Sequence, residues 1–120
     1  MIKITRYTQQ NPPAWVRYLT HAGGFRKSSC DFSRFWYTER LWQLAANLPI
    51  KTVLISAIAE FDQDCWFSAA TPPTCRQVAL HAQRIYAADL AYPIILSAEG
   101  YLMDGGHRLA KAWLMGLTEI

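Results

Sequence analysis

The chain has 120 residues, 52% of them hydrophobic, with five Trp, six Tyr and five Phe. That is enough apolar material for the core of one domain, which excludes wholesale disorder and leaves no room for a second independent core. The formal charge of +3 is unevenly spread: residues 1–40 carry seven Lys or Arg against Asp31 and Glu39, whereas the rest carries five against seven acidic residues.

No apolar stretch approaches the length of a membrane span, and the first ten residues lack the apolar run of a secretory signal, so no membrane partner is expected. Cys30, Cys65 and Cys75 are odd in number, far apart and form no Cys-x-x-Cys pair. This usage predicts a reducing, cytoplasmic setting rather than a disulfide framework.

Taken in chain order, residues 1–7 alternate Ile2 and Ile4 with polar neighbours and predict a short strand. Asn11-Pro12-Pro13 ends it and opens a short helix carrying Trp15, Val16, Tyr18 and Leu19, which Gly23-Gly24 stops. Residues 25–31 read as a basic polar loop. Asp31 or Ser33 then caps a helix in which Phe35, Trp36, Leu41, Trp42, Leu44 and Ala45 recur at helical spacing, ending near Asn47 before Pro49.

The pattern changes at Lys51. Residues 52–55 (Thr-Val-Leu-Ile) predict a strand. In an extended segment Glu60, Asp62 and Asp64 fall on one side, where carboxylates facing a triphosphate would hold Mg²⁺; the alternative is a solvated acidic loop. Trp66-Phe67 reads as core rather than as a base-stacking platform. Thr74 with Gln77 is a capping-box signature that opens a helix through Val78, Ala82, Ile85 and Tyr86. His81 lies on its polar stripe with Gln77 and Arg84, as a surface residue or a substrate contact. Cys75 in the first turn has no neighbouring base, and no His/Cys spacing fits structural zinc; no zinc or redox cofactor is expected. Residues 93–96 and 101–103 predict a hairpin around Ala98-Glu99-Gly100. A last helix runs from His107 to about Met115 with Gly116 as its stop, and a further strand begins towards Ile120.

The stretch from Tyr101 to Lys111 concentrates the chemistry. A strand runs into Gly105-Gly106 and then into a helix whose first N–H groups lack internal partners and lie at the positive end of its dipole, an arrangement suited to anions. His107 and Arg108 in the first turn, and Lys111 one turn on, oppose that dipole unless an anion relieves them. The chemistry implied is phosphate or carboxylate recognition. The plainer reading makes Asp104 an N-cap, the glycines a turn, and Arg108 and Lys111 solvated.

These residues also carry a resemblance. Pro93-Ile94-Ile95-Leu96-Ser97, a hairpin turn, then Asp104-Gly105-Gly106-His107-Arg108-Leu109-Ala110-Lys111-Ala112 and a closing Gly116 resemble the signature of the ParB/sulfiredoxin-like superfamily. The resemblance covers roughly residues 50–120 and leaves 1–49 outside. It implies an α/β (α+β) core, a small mixed sheet with packed helices, and residues 1–49 add an aromatic, basic N-terminal helical extension to the same single domain. It further implies a nucleotide (CTP, ATP or ADP, with Mg) whose phosphates sit in a cradle of Gly105, Gly106, His107 and Arg108, with Lys111 in support. Asp104 occupies the motif's acidic position. Members include CTP-dependent DNA-partitioning clamps, free-serine kinases and sulfiredoxins. Sulfiredoxins carry a reactive Cys where this chain has Gly106, so sulfinic-acid reduction is not expected. The partitioning proteins add a helix-turn-helix domain, which is not present by Ile120, so site-specific DNA clamping is not expected of this chain alone.

The expected function is therefore binding of a nucleotide or other phosphate ligand, with hydrolysis or phosphotransfer as the associated chemistry. The candidate catalytic groups are Asp62, Asp104 and His107, with Asp62 and Asp64 as Mg²⁺ ligands. An amino-acid kinase reading would make Asp62 the base. A competing reading, from a different class, is a non-catalytic module that contacts nucleic acid or protein. It would use Arg17, Arg26, Lys27, Arg34 and Arg40 among Trp15, Tyr18, Phe25, Phe32 and Phe35, or self-associate through those aromatics.

Overall fold

The computed structural model describes residues 26–28 and 35–120. The strand expected over 1–7, the helix after Pro12 and most of the basic aromatic segment lie outside the described residues. The elements are strands β1 (Arg26–Ser28) and β2 (Phe35–Tyr37) and helix α1 (Thr38–Ala45). Two 3₁₀ turns (Ile55–Ala57 and Ala59–Asp62) lead to helix α2 (Cys75–Ala87), strands β3 (Ile95–Leu96) and β4 (Leu102–Asp104), and helix α3 (Gly106–Leu114). The class is α+β, with two two-stranded antiparallel sheets among the described residues.

Two expectations change in the first part. Residues 26–28 are strand rather than loop, and the helix starts at Thr38 rather than after Ser33. Three consecutive aromatics, Phe35-Trp36-Tyr37, favour a pleated strand, and β2 pairs with β1 from Arg26 opposite Tyr37 to Ser28 opposite Phe35. Residues 52–55 are shorter than a full strand. Leu54 forms an isolated antiparallel bridge with Glu119, flanked by mutual bonds between the backbones of Val53 and Ile120 (both 2.9 Å). The terminal strand thus takes its pairing from the segment before the 3₁₀ turns.

The later elements follow the sequence closely. Thr74 Oγ1 accepts the Gln77 N–H at 3.2 Å and starts α2. The hairpin forms, shifted to Leu102–Asp104 on its second strand, with Ile95 opposite Asp104, Leu96 opposite Leu102 and a bulge between. Gly100 takes φ 91° in the turn, where a Cβ would be strained.

β3 organises the core by simple alternation. Ile94 and Leu96 pack with Val53, Ile55, Ile58, Leu109 and Ala112 on the α3 side. Ile95 points the other way, into Leu41, Trp42 and Ala45 of α1. The hairpin therefore lies between α1 and α3, the burial on both faces that a run of branched residues predicts. Helix α3 serves two neighbours. Leu109 and Ala112 face the sheet, whereas His107 and Lys111, four apart on another face, meet α2.

Candidate functional site

The turn into α3 is shaped by close approach. Gly105, the N-cap of the helix, has φ 115°, and a Cβ there would lie 2.5 Å from Ile94 Cγ2. Only glycine meets both conditions. At Gly106 a Cβ would come within 3.3 Å of Trp66 Nε1 and 3.7 Å of Trp66 Cε2, so the missing side chain is the space the indole occupies.

Arg108 and Asp104 point inward, each 1% exposed. Arg108 Nη2 donates to Asp104 Oδ2 at 3.1 Å, and Nη1 donates to the carbonyls of Pro93 (2.6 Å) and Tyr92 (3.0 Å). Burial lowers the guanidinium pKa to about 9, so it remains charged at neutral pH. The same Asp104 oxygen accepts Trp42 Nε1 at 3.1 Å, which ties α1 to the hairpin. A carboxylate and two carbonyls inside the protein thus accompany the Arg108 cation at the start of the helix. Lys111 is engaged likewise: its Nζ donates to the carbonyls of Ala88 (2.6 Å) and Tyr86 (2.8 Å) at the end of α2. These are orphan acceptors of a helix C-terminus, where a cation also complements the dipole. Of the expected phosphate cradle, then, Arg108 and Lys111 serve the fold, Gly105 serves the turn, and Asp104 is a buried counter-charge with no exposed oxygen to work as a catalytic acid or base.

What remains at the surface of the turn is a ring cluster. His107 Nε2 lies 2.8 Å from His81 Nδ1 on α2. The two imidazoles are nearly coplanar, at 8°. Trp66 stacks on both, 4.5 Å from His107 at 5° and 4.7 Å from His81 at 8°, while the imidazole centroids are 5.1 Å apart. Such nearly equal distances put both imidazoles on one face of the indole. Phe67 meets the His81 ring edge-on at 5.2 Å. Burial, with the Arg84 charge adding, holds His81 below its ordinary value of 6.5. Trp66 is itself aimed by Asp64, whose Oδ1 accepts the N–H groups of Trp66 (3.2 Å) and Phe67 (3.0 Å).

The acidic segment does not form the alternating carboxylate face. Residues 59–62 are a 3₁₀ turn, so the period-2 geometry is absent. Glu60 Oε1 accepts the Leu102 N–H of β4 at 3.0 Å, Asp64 holds the Trp66 turn, and Asp62 is exposed with no hydrogen bond or ion pair among the described residues. Among the described residues no group of three or more His, Cys, Asp or Glu side chains could hold a metal ion. Of the two expected Mg²⁺ ligands, Asp64 is engaged by its own turn and Asp62 is exposed. Cys65 is disulfide-bonded, and Cys75 is free and exposed. A disulfide belongs to oxidising surroundings, so cysteine usage does not carry the cytosolic expectation; a pairing brought about by the fold needs no spacing motif in the sequence. No helix among the described residues is long and apolar enough to cross a membrane.

The sequence leaves His81 open between a surface residue and a substrate contact, and it gives Trp66 to the core. The signal available was the polar stripe of Gln77, His81 and Arg84 on α2, and an Asp two residues ahead of paired aromatics. Neither gives the 26-residue separation between His81 and His107. No protein-family model matches the chain, and neither curated proteins nor solved structures yield a match.

Proposed function

We propose that this chain is a ParB/sulfiredoxin-like domain that binds a small phosphate-bearing ligand, of nucleotide class, at the start of α3. The observation that supports this is the placement of His107 in the first turn of α3, bonded to His81 and covered by Trp66 above a side-chain-free Gly106. Imidazole N–H and the first-turn backbone N–H groups are donors suited to phosphate oxygens, at the end of the helix that favours negative charge. An indole beside them is a surface on which a base can stack. Arg108 and Lys111 contribute by holding the turn and the neighbouring helix in place.

The reading is one of binding. Asp104 is closed off by Arg108 and Trp42, and Asp62 lies on a separate turn, so among the described residues His107 and His81 are the titratable groups at this place for any proton transfer in a hydrolysis or phosphotransfer step.

Isothermal titration of the full chain with CTP, ATP, ADP and inorganic phosphate tests the reading. Saturable binding by at least one of them, weakened about tenfold or more by His107→Ala in a chain that keeps its circular-dichroism spectrum, is expected; one charge-assisted hydrogen bond has about that weight. Absence of heat with all four at millimolar concentration overturns it.

A further inference from the structure

Two imidazoles in contact through ring nitrogens have a restricted set of protonation states. At 2.8 Å, one of His81 Nδ1 and His107 Nε2 carries the hydrogen and the other a lone pair. The neutral pair satisfies this, and so does the pair with one added proton. The pair with two added protons does not: both contacting nitrogens then carry hydrogen, and two positive rings face each other.

We propose that the His81–His107 pair beneath Trp66 is a proton-operated latch, closed while the rings share one hydrogen bond and opened when both become imidazolium. The latch joins three pieces of chain: α2 through His81, α3 through His107, and residues 64–67 through Trp66 and Phe67. Opening frees the indole from the imidazole plane and releases the contact between α2 and α3 at that end. The opposite end stays fastened by Lys111 on the Tyr86 and Ala88 carbonyls, so the movement is a local hinge rather than loss of the helix pair.

Among the described residues, the charges around the pair make the second proton the hard one. On α2, Arg84 is one turn from His81 and repels its proton. On α3, Arg108 is matched by Asp104, and Lys111 by carbonyls. On the covering segment, Asp64 Oδ1 is engaged by the Trp66 and Phe67 N–H groups. A single added proton gains a cation–π contact with the indole at 4.5 to 4.7 Å, which keeps the latch closed. Sharing one hydrogen bond, the two rings therefore take up their protons in separated steps, with His81 held below its ordinary value. The device goes beyond the binding reading and does not depend on it.

Nitrogen-15 spectra of the histidine rings and of the Trp66 indole N–H, recorded on the full chain from neutral to acid pH, test the latch. The expected result is a two-step titration of His81 and His107, with the Trp66 signal moving only in the second step while circular dichroism is unchanged. In His81→Gln, which cannot become cationic, the Trp66 signal is expected to stay fixed over the same range. Independent single-proton curves for the two rings, or a Trp66 signal that moves equally in His81→Gln, overturn the proposal. If His81→Gln does not fold, the native titration decides alone, since a Trp66 signal that ignores the second step is by itself sufficient to reject it.

Discussion

Asp104 and Arg108 face each other across the first turn of α3, 3.1 Å apart and both shut off from solvent. They are two of the most recognisable letters of the Asp-Gly-Gly-His-Arg stretch, and they bond each other. A buried ion pair of this kind is weak evidence of net stabilisation, but removing one partner leaves an uncompensated charge in the core. Arg108→Ala is therefore expected to destabilise the fold by about 3 to 5 kcal/mol, read as a lower urea midpoint. Arg108→Lys is expected to recover little, because one ammonium cannot reproduce the planar fork that reaches Asp104, Tyr92 and Pro93 together. Loss of ligand binding with an unchanged urea midpoint would contradict this assignment.

Gly105 and Gly106 are expected to respond differently to alanine. Gly105→Ala meets both a left-handed φ and the Ile94 side chain, and should cost about 1 to 3 kcal/mol from backbone strain, with the clash adding to it. Gly106→Ala meets only the indole at 3.3 Å, so its mark should be a displaced Trp66 signal with a thermal midpoint close to that of the native chain. Paired thermal melts and indole N–H spectra distinguish them.

Lys111→Met keeps the aliphatic stem and removes the ammonium that closes the end of α2. Two carbonyl acceptors lose a charged donor, and a decrease of about 1.5 to 3 kcal/mol is expected. Hydrogen exchange should quicken at residues 84–88 more than at the start of the helix. An unchanged melt would mean that water replaces the ammonium without loss.

Stability should decline in mild acid. His81 is held below 6.5 when folded and returns towards that value on unfolding, so the unfolded chain takes up its proton first as the pH falls. The contribution of neutral His81 is complete above 6.5 and is lost progressively below it. Urea midpoints should be flat on the alkaline side of 6.5 and fall on the acid side, and His81→Gln should flatten that part of the profile. A profile that falls equally in the variant would place the acid sensitivity elsewhere.

Much of the second half of the fold was legible because its signals are local. The Thr74–Gln77 cap, the hairpin around Gly100 and the stop at Gly116 depend on residues only a few positions apart, and each appears where the sequence puts it. The first helix was misplaced because Phe35 and Trp36 fit a helical stripe as well as a strand, and pairing with residues 26–28 decides the matter. The site was legible only in part. The turn, the glycines and His107 were found, but the roles of Arg108 and Lys111 depend on carbonyls 15 to 25 residues away, which periodicity cannot reveal. The acidic segment failed for a simpler reason: alternate carboxylates share a side only if the chain is extended, and here it turns.

The stretch from Asp104 to Lys111 is in effect two interleaved motifs. Asp104, Gly105, Arg108 and Lys111 are required by the fold, whereas Gly106 and His107 are the positions that meet the Trp66–His81 cluster. Selection for stability alone would preserve the first set whether or not anything binds at the turn. The outward look of this stretch is thus no guide to function by itself, and the residues that bear on it are Gly106, His107 and their two distant partners.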